Sequence, residues 1–575
     1  MDLATIERLL KSDGEVIPYV LEQWATKTPD KTCIFYGEEN RHISYKEFNE
    51  IANSIANSLI AKGVKKGDRI SVFLNYHHPV LSIMSMFGIW KTGAIYSPIN
   101  CSFFGRLLAY QLNDTDPKFL ITENDFIQRL NDIKDDIKPL EILLHSPLEK
   151  DRAYNPETAN LKLDSKFKVD SFSSFFNGAR NNPGVELAYY DDANIFYTSG
   201  TTGPAKGVLQ AYRWMNQYTI GWRNNCNSDD VIYNDLPMYH VGGAIQNIVR
   251  AVWRGCTAAI WDRFSPTEFW GRIKACNATN AILLDVMITW LLNNPVKPDD
   301  HLNTLNKVYM QPMPLNHNEI ARRFGFDVVL TGFGQTEAGS AISGLFFELD
   351  EGEGTPPEMY HGASREHIIK AAEKYGTVIV SGKEKLKKGY MGRPRFFVEA
   401  AILNDYDEPL QNGEVGQICF RSYLPCTIFK EYYGKPEATV KEFRNLWFHT
   451  GDVGYKDADG ILYFVDRSGG FIRRRGENIS SYQIEDIINS NAKVNSCAAF
   501  PIPAQEGDED DIVVYVVNQP GENFDEKDLR AWLEANMPKY MRPQYIRFVD
   551  ELPRTPTNKM EKYKLKEAIL KELQR

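Results

Sequence analysis

The sequence predicts an α/β protein in two parts: a large domain with parallel and mixed sheets, a flexible joint, and a small mobile α+β domain at the C-terminal end. Three observations lead there. The chain has 575 residues, 43% hydrophobic and 25% charged, enough for more than one unit of roughly 100–200 residues. Its N-terminal part alternates helical and strand periodicity, the pattern of an α/β architecture. Near residue 466 the pattern changes to short strands mixed with helices.

The elements follow in order. Ser44-Tyr-Lys-Glu47 has the form of a capping box, in which a hydroxyl and a carboxylate satisfy free amides at a helix start. Ile51, Ile55, Leu59 and Ile60 then recur at helical spacing until Gly63 closes the helix. Ile70–Leu74, short and β-branched, reads as a strand; a helix over Val80–Lys91 and a strand over Ala94–Ile99 come next. After Arg467-Ser-Gly-Gly470, strands are expected over Cys497–Ile502 and Asp511–Val517, and helices over Asp525–Met537 and Lys562–Leu573. The expected division is therefore 1–466, a hinge at 467–470, and 471–575. Glycine at 469 and 470 suits a hinge because it absorbs large φ/ψ changes at little steric cost.

Composition sets outer limits. The net charge of −10 disfavours non-specific nucleic-acid binding, which needs phosphate-neutralising Lys and Arg. A site nevertheless responds to its nearest charges and dipoles. The eight cysteines form no CxxC pair, so reduced thiols in a cytoplasmic protein are the expectation. The N-terminus lacks the basic-then-apolar pattern of a secretory signal, and no apolar run reaches the ~18 residues of a membrane span.

The most informative segment is Tyr197-Thr-Ser-Gly-Thr-Thr-Gly-Pro-Ala-Lys-Gly-Val208. Gly200, Gly203 and Gly207 let the backbone turn its N–H groups inward. Thr198, Ser199, Thr201, Thr202 and Lys206 add the donors that a polyphosphate requires. The spacing is not that of a Walker A loop.

This loop resembles the signature of the adenylate-forming enzymes: acyl-CoA synthetases, carrier-protein adenylation domains and luciferases. Further motifs match in order: Gly332-Phe-Gly-Gln-Thr-Glu337, Gly392-Arg-Pro394, Gly413-Glu-Val-Gly416, His449-Thr-Gly-Asp452, Asp466-Arg467, Gly476-Glu-Asn-Ile-Ser480 and Pro553-Arg-Thr-Pro-Thr-Asn-Lys559. The resemblance implies attack of a carboxylate on the α-phosphate of ATP, then displacement of AMP by a thiol, with Mg2+ accompanying ATP. It implies that Thr198 and Glu337 hold the metal, and that Phe333, Gly334, Gln335 and Thr336 line the nucleotide site. Asp452, Phe464 and Arg467 would meet the ribose, and Arg473 the adenylate. Lys559 would be the catalytic cation, withdrawn by rotation about Gly469. The sequence departs from the family pattern at Gly469, at Asn558 before that lysine, and at Met310-Gln-Pro-Met-Pro-Leu315, where Gln311 and Met313 are the remaining adenine-side candidates.

Arg475 and Gly476 match positions near the thiol arm, so CoA is the expected acceptor; a carrier protein's phosphopantetheine is the alternative. The acyl pocket is expected to be lined by Asp235–Ala244, which contains Tyr239 and His240, and by Gly332; His240 also enters the catalytic set. His240 stands where amino-acid-activating relatives carry Asp, which argues against an α-amino acid. Asp285 is a helix cap or core carboxylate, or else faces a cationic substrate. The run Arg474-Arg-Gly-Glu-Asn-Ile-Ser-Ser481 together with Met238–Gly243 looks most like the crotonobetaine/carnitine-CoA ligase branch. A quaternary ammonium prefers an aromatic cage, with Tyr239, Trp261, Phe264 and Trp290 as candidates. A steroid-type or aromatic acid fits a glycine-lined pocket too. The expected partners are a small carboxylic acid, ATP and CoA, with a homodimer possible. The stretch from 345 to 388, including Gly-Glu-Gly-Thr-Pro-Pro357 and a helix over Ser364–Tyr375, is longer than the family spacing. It reads as a surface insertion, a pocket cover or an oligomer contact.

Overall fold

The computed structural model describes residues 1–198, 204–467, 471–475, 477–505, 509–553 and 560–574. Two compact units are present. One comprises Met1–Cys101, Leu112–Phe196 and Gly207–Asp466; the other comprises Ser102–Gln111, Tyr197–Lys206 and Arg467–Arg575. The expected contiguous range 1–466 had not separated the two short segments from the rest.

Local signals translate directly into elements. The Ser44 hydroxyl accepts from the Glu47 amide at 3.1 Å and opens a helix over Tyr45–Ala61. Strand Arg69–Phe73, helix Pro79–Lys91 and strand Ile95–Pro98 follow. That helix is buried on every side, as expected where the sequence is apolar all round. The strands Arg69–Phe73, Ile95–Pro98, Phe119–Glu123, Glu141–His145 and Lys168–Ser171 pair parallel in one sheet.

A second sheet carries the candidate site. Its elements are α1 (Tyr212–Arg223), β1 (Val231–Asn234), β2 (Asn280–Leu284), α2 (Asp285–Leu292), β3 (Lys307–Gln311), β4 (Val328–Gln335), β5 (Gly339–Phe347), α3 (Arg365–Tyr375), β6 (Tyr390–Pro394) and β7 (Phe448–Lys456). Strands β1 to β4 run parallel, with Asn280 opposite Lys307 and Lys307 opposite Val328. Their carboxyl ends therefore open on one side of the sheet, where ligands of open α/β sheets bind. β5 turns back antiparallel to β4, with Gly332 opposite Ser343, and β6 pairs antiparallel with β5, with Ser343 opposite Arg393. Residues alternate between two cores: Ile282, Tyr309, Val328 and Leu330 pack toward α1 with Trp214, Met215 and Trp222. Leu283, Met310 and Val329 pack on the other face. Burial on both faces is why these strands carry apolar side chains with little alternation.

The stretch 345–388 is woven into this unit. Strand Ile379–Ser381 pairs parallel with β5, and Ile368 and Ala372 of α3 enter the first core. The loop before α3 is pinned by a buried ion pair: Lys307 Nζ lies 3.1 Å from Asp230 Oδ1, both side chains wholly buried. Asp230 also accepts from Thr279, Asn280 and the Ala363 amide at 2.7–2.9 Å.

In the smaller unit, Phe471–Arg474 and Glu477–Ser480 form a hairpin. Val494–Pro503, Asp510–Asn518 and Tyr545–Phe548 form a mixed sheet packed with Ser481–Asn489 and Glu526–Asn536 around Ile484, Val514 and Leu529. Among the described residues no helix is long and apolar enough to cross a membrane.

Candidate active site

The motif Gly332–Glu337 forms the carboxyl end of β4 and the turn into β5. Gly332 has no room for a side chain, since a Cβ there would lie 2.3 Å from the Ile342 carbonyl. By alternation with Leu330, Gly332 and Gly334 face α1, where the Tyr218 ring stands 3.9 Å from the position a Gly334 Cβ would take. The two glycines let the β5 backbone and the α1 side chains approach this strand end closely.

Gln335 and Asp452, assigned independently from sequence, meet directly. The Gln335 amide donates to Asp452 Oδ2 at 2.5 Å and to the Thr450 carbonyl at 2.9 Å. Asp452 is buried on β7, and its amide donates to the Thr450 hydroxyl at 3.1 Å. That hydroxyl donates to the Ile418 carbonyl on the neighbouring strand at 2.7 Å. The carboxylate is thus held by groups that are themselves held, the requirement for a preorganised contact.

Glu337 is fixed likewise. Tyr432 donates its hydroxyl to Glu337 Oε1 at 3.0 Å, and the Glu337 carbonyl accepts from the Trp214 indole and the Phe429 amide at 3.1 and 2.8 Å. The Thr336 carbonyl accepts from Gln210 at 2.7 Å. Phe333 is buried, with its ring 5.8 Å from that of Phe420, in a core that half-buried Phe464 borders.

A profile described as AMP-binding enzyme matches residues 21–433, and one described as AMP-binding enzyme C-terminal domain matches residues 483–559. The chain belongs to the AMP-binding enzyme family. It is similar to the crotonobetaine/carnitine–CoA ligase of Citrobacter koseri, 30% identical over 96% of this chain and 99% of that one. The same-named protein of Proteus mirabilis is 31% identical over 90% and 92%. Among solved structures, a double mutant of o-succinylbenzoate CoA synthetase from Bacillus subtilis has a TM-score of 0.73 at 22% identity, covering 95% of this chain and 98% of that one. A Mycobacterium tuberculosis fatty acyl CoA synthetase has a TM-score of 0.61 at 23% identity over 96% and 98%. These structural likenesses carry the fold. The enzyme class is AMP-forming acyl-CoA synthetase, which uses ATP, Mg2+ and CoA.

Of the residues expected on the acyl side, Tyr239, His240 and Asp285 lie at the ends of β1 and β2. Tyr239 and His240 are half-buried in the loop after β1. His240 Nδ1 accepts from the Gly242 amide at 3.5 Å, where a π-helical segment Gly242–Val249 begins; such wide turns recur at functional sites. Asp285 opens α2, where a carboxylate complements the helix dipole; this is the helix-start reading. The four aromatic candidates fall into separate surroundings. Trp261 is buried with Phe35 at 5.8 Å and Tyr233 at 5.1 Å, while Phe264 and Trp290 stack on each other at 5.7 Å. Trp261 shares a concavity with Tyr239, apart from the stacked pair. Met313 packs in the second core, whereas Gln311 ends β3 half-buried.

Asp235 heads the same loop, buried, with Oδ2 lacking a hydrogen-bond partner among the described residues. Burial pushes its carboxyl up to about 7, with Tyr233 and Arg272 pulling against the shift. The folded state then holds a proton that the unfolded state releases near 3.8, so Asp235 lowers stability progressively as pH rises from about 4 to about 7. Asp235→Asn removes that slope. The variant is expected to gain about 2–3 kcal/mol on wild type between pH 5 and pH 8, read as the pH dependence of the chemical-denaturation midpoint. Parallel midpoints would overturn the assignment.

Within the smaller unit, Thr198 ends a strand and Lys206 begins the next. The Arg473 amide donates to Asp510 at 2.7 Å. Arg475 is exposed after strand Phe471–Arg474, with φ of +53°. Ser199, Gly200, Thr201, Thr202, Gly203, Gly469, Gly476 and Lys559 lie outside the described residues, as does the side chain of Arg467. Sequence reasoning missed Tyr432, Gln210 and Thr450, which hold the motif residues, and Tyr218, whose ring faces Gly334. Only Thr450 stood inside a recognised motif; the others carry no local signal.

Proposed function

We propose that the enzyme activates a carboxylic acid as acyl-AMP and passes the acyl group to CoA. A carboxylate oxygen attacks the α-phosphorus, the bond to the bridging oxygen breaks, and pyrophosphate leaves. A CoA thiolate then attacks the acyl carbon, and the carbon–oxygen bond to AMP breaks. Asp452, oriented by Gln335, accepts from the ribose hydroxyls, with Arg467 and Phe464 on the same sugar. Lys206 and the amides and hydroxyls of Thr198–Gly203 receive the phosphates. Glu337 and Thr198, hard oxygen donors, suit Mg2+, which supplies charge neutralisation when bound with ATP. Lys559 supplies the positive charge at the α-phosphate and carboxylate, Gly469 lets it withdraw, and Arg473, Arg475 and Gly476 meet the adenylate and the CoA arm. His240 borders the acyl group and screens the reacting carboxylate. On this reading the enzyme is cytoplasmic.

The observation that carries the reading is the 2.5 Å contact between Gln335 and Asp452, two residues 117 apart in the chain. The test is pyrophosphate release with MgATP over a panel of carboxylic acids, with and without CoA. Release dependent on one acid, turning over only with CoA, is expected; release without thioester formation on CoA shifts the acceptor to a carrier protein. Lys559→Ala is expected to slow acid-dependent release about a hundredfold or more, by analogy with loss of a transition-state donor of ~2.7–4 kcal/mol, while ATP binding persists. An undiminished rate would remove Lys559 from its role.

A further inference from the structure

Beyond the motifs, one charged side chain on the α1 face of the sheet has no partner for its head among the described residues. Arg395 follows β6, and by alternation with Arg393, which pairs with Ser343 opposite Gly332, it lies on the α1 face of the sheet. Its guanidinium rests on Gly221 of α1: a Cβ at that glycine would fall 1.3 Å from Arg395 Nη2. Gly221 therefore makes the space the guanidinium occupies. Among the described residues, the hydrogen bonds of Arg395 are backbone ones: its amide donates to the Ala341 carbonyl at 2.9 Å and its carbonyl accepts from the Val398 amide at 3.1 Å; its guanidinium makes neither a hydrogen bond nor an ion pair.

The groups acting on it electrostatically are the phenols of Tyr309 and Tyr375 and the guanidinium of Arg223. Arg223 is itself spoken for, bound to Asn216, Thr219 and Asp13. Enclosure lowers the Arg395 pKa to about 10, which leaves it fully cationic near neutrality. The residue keeps partial exposure, and it lines a cleft of about 750 Å³ with Ser343, Tyr375 and Tyr390. An enclosed cation without a counter-charge is costly in a protein interior, and a bidentate fork is shaped for a carboxylate.

We propose that Arg395 receives an anionic group at the far end of the acid, so that the substrate is a dicarboxylate-type acid activated at its other carboxyl. This rests on the adenylating reading above and names its substrate class. The same charge excludes a betaine-type acid, whose trimethylammonium end would face the guanidinium. Tyr309, on β3 in the same core as Trp222 of α1, supplies a half-buried aromatic wall for the intervening chain.

The test uses 5′-O-(N-acylsulfamoyl)adenosines with acyl chains of four to eight carbons, ending in carboxylate, methyl or trimethylammonium, titrated calorimetrically into the full-length enzyme. Wild type is expected to bind a carboxylate-ended probe roughly 30-fold or more tighter than its methyl counterpart, the lower range for a desolvated charge pair. Arg395→Gln is expected to abolish that preference while leaving the methyl-ended probe within threefold of wild type, and Arg395→Lys to restore part of it. Gly221→Ala keeps the arginine but displaces its head, and is expected to weaken the preference in the same direction. Tails bound equally by wild type, a trimethylammonium preference, or an equal loss on all three probes in Arg395→Gln would each overturn the proposal while the adenylating reading stands. Failure of wild type to bind ATP and every probe would overturn both.

Discussion

Asp452→Asn is expected to raise the KM for ATP about a hundredfold or more with little change in thermal stability. The carboxylate accepts from Gln335 at 2.5 Å and, on the proposed mechanism, from the ribose. Asparagine keeps the shape but replaces one acceptor oxygen with a donor. If its amide nitrogen turns toward Gln335, two N–H groups oppose each other; if it turns toward the sugar, a ribose hydroxyl loses its acceptor. Hydrogen bonds to a charged group contribute about 1.5–3 kcal/mol each, so loss of the charge and of one contact supports the hundredfold figure. Stability changes little because the Thr450 hydroxyl and carbonyl still hold the strand end through the Asp452 amide and Gln335. ATP titration beside a melting curve separates the effects. An unaltered affinity for ATP would take Asp452 out of the nucleotide site.

Lys307→Met should unlatch the segment between β5 and β6. Lys307 and Asp230 are wholly buried 3.1 Å apart. Burial works against the ammonium, but Asp230 outweighs it and holds the Lys307 pKa above its ordinary value. Removing the cation leaves a buried carboxylate that is tied to the Ala363 amide at 2.9 Å. Breaking one side of such a pair costs about 3–5 kcal/mol. The loss should concentrate where the pair anchors chain. Hydrogen exchange is expected to accelerate across 355–375 more than across β7, and the double variant Lys307→Met, Asp230→Leu should recover part of the protection. Uniform acceleration over the whole large unit would show that the pair supports the fold generally and does not latch this segment.

Much of this enzyme was legible locally. Ser44 and Ser364 each announced a helix, and both hydroxyls accept from the amide three residues on, at 3.1 and 3.2 Å. Helix Pro79–Lys91 and the strands beside it fell within a residue or two of expectation. The limits of such reading appear where a side chain's meaning depends on what faces it. Trp261 and Trp290 were equally good cage candidates by residue type, yet one is buried against Tyr233 and the other stacks on Phe264. The stretch 345–388 looked like surface by its length and its Gly-Pro content. Part of it is core because Ile368 and Ala372 find an apolar face to cover, while residues 350–353 and 383–385 stay exposed.

The amino-acid sequence by itself determined the family, the order of the motifs and most element boundaries. Those depend on interactions within a few residues: caps, turns and the period of apolar positions. Only the tertiary structure decided that Gln335 holds Asp452, that Tyr432 holds Glu337, and that Arg395 lies on Gly221 with no counter-charge among the described residues. Each joins distant strands and helices, and chain geometry leaves such pairings open until sheet register and helix docking bring the residues within a few ångströms.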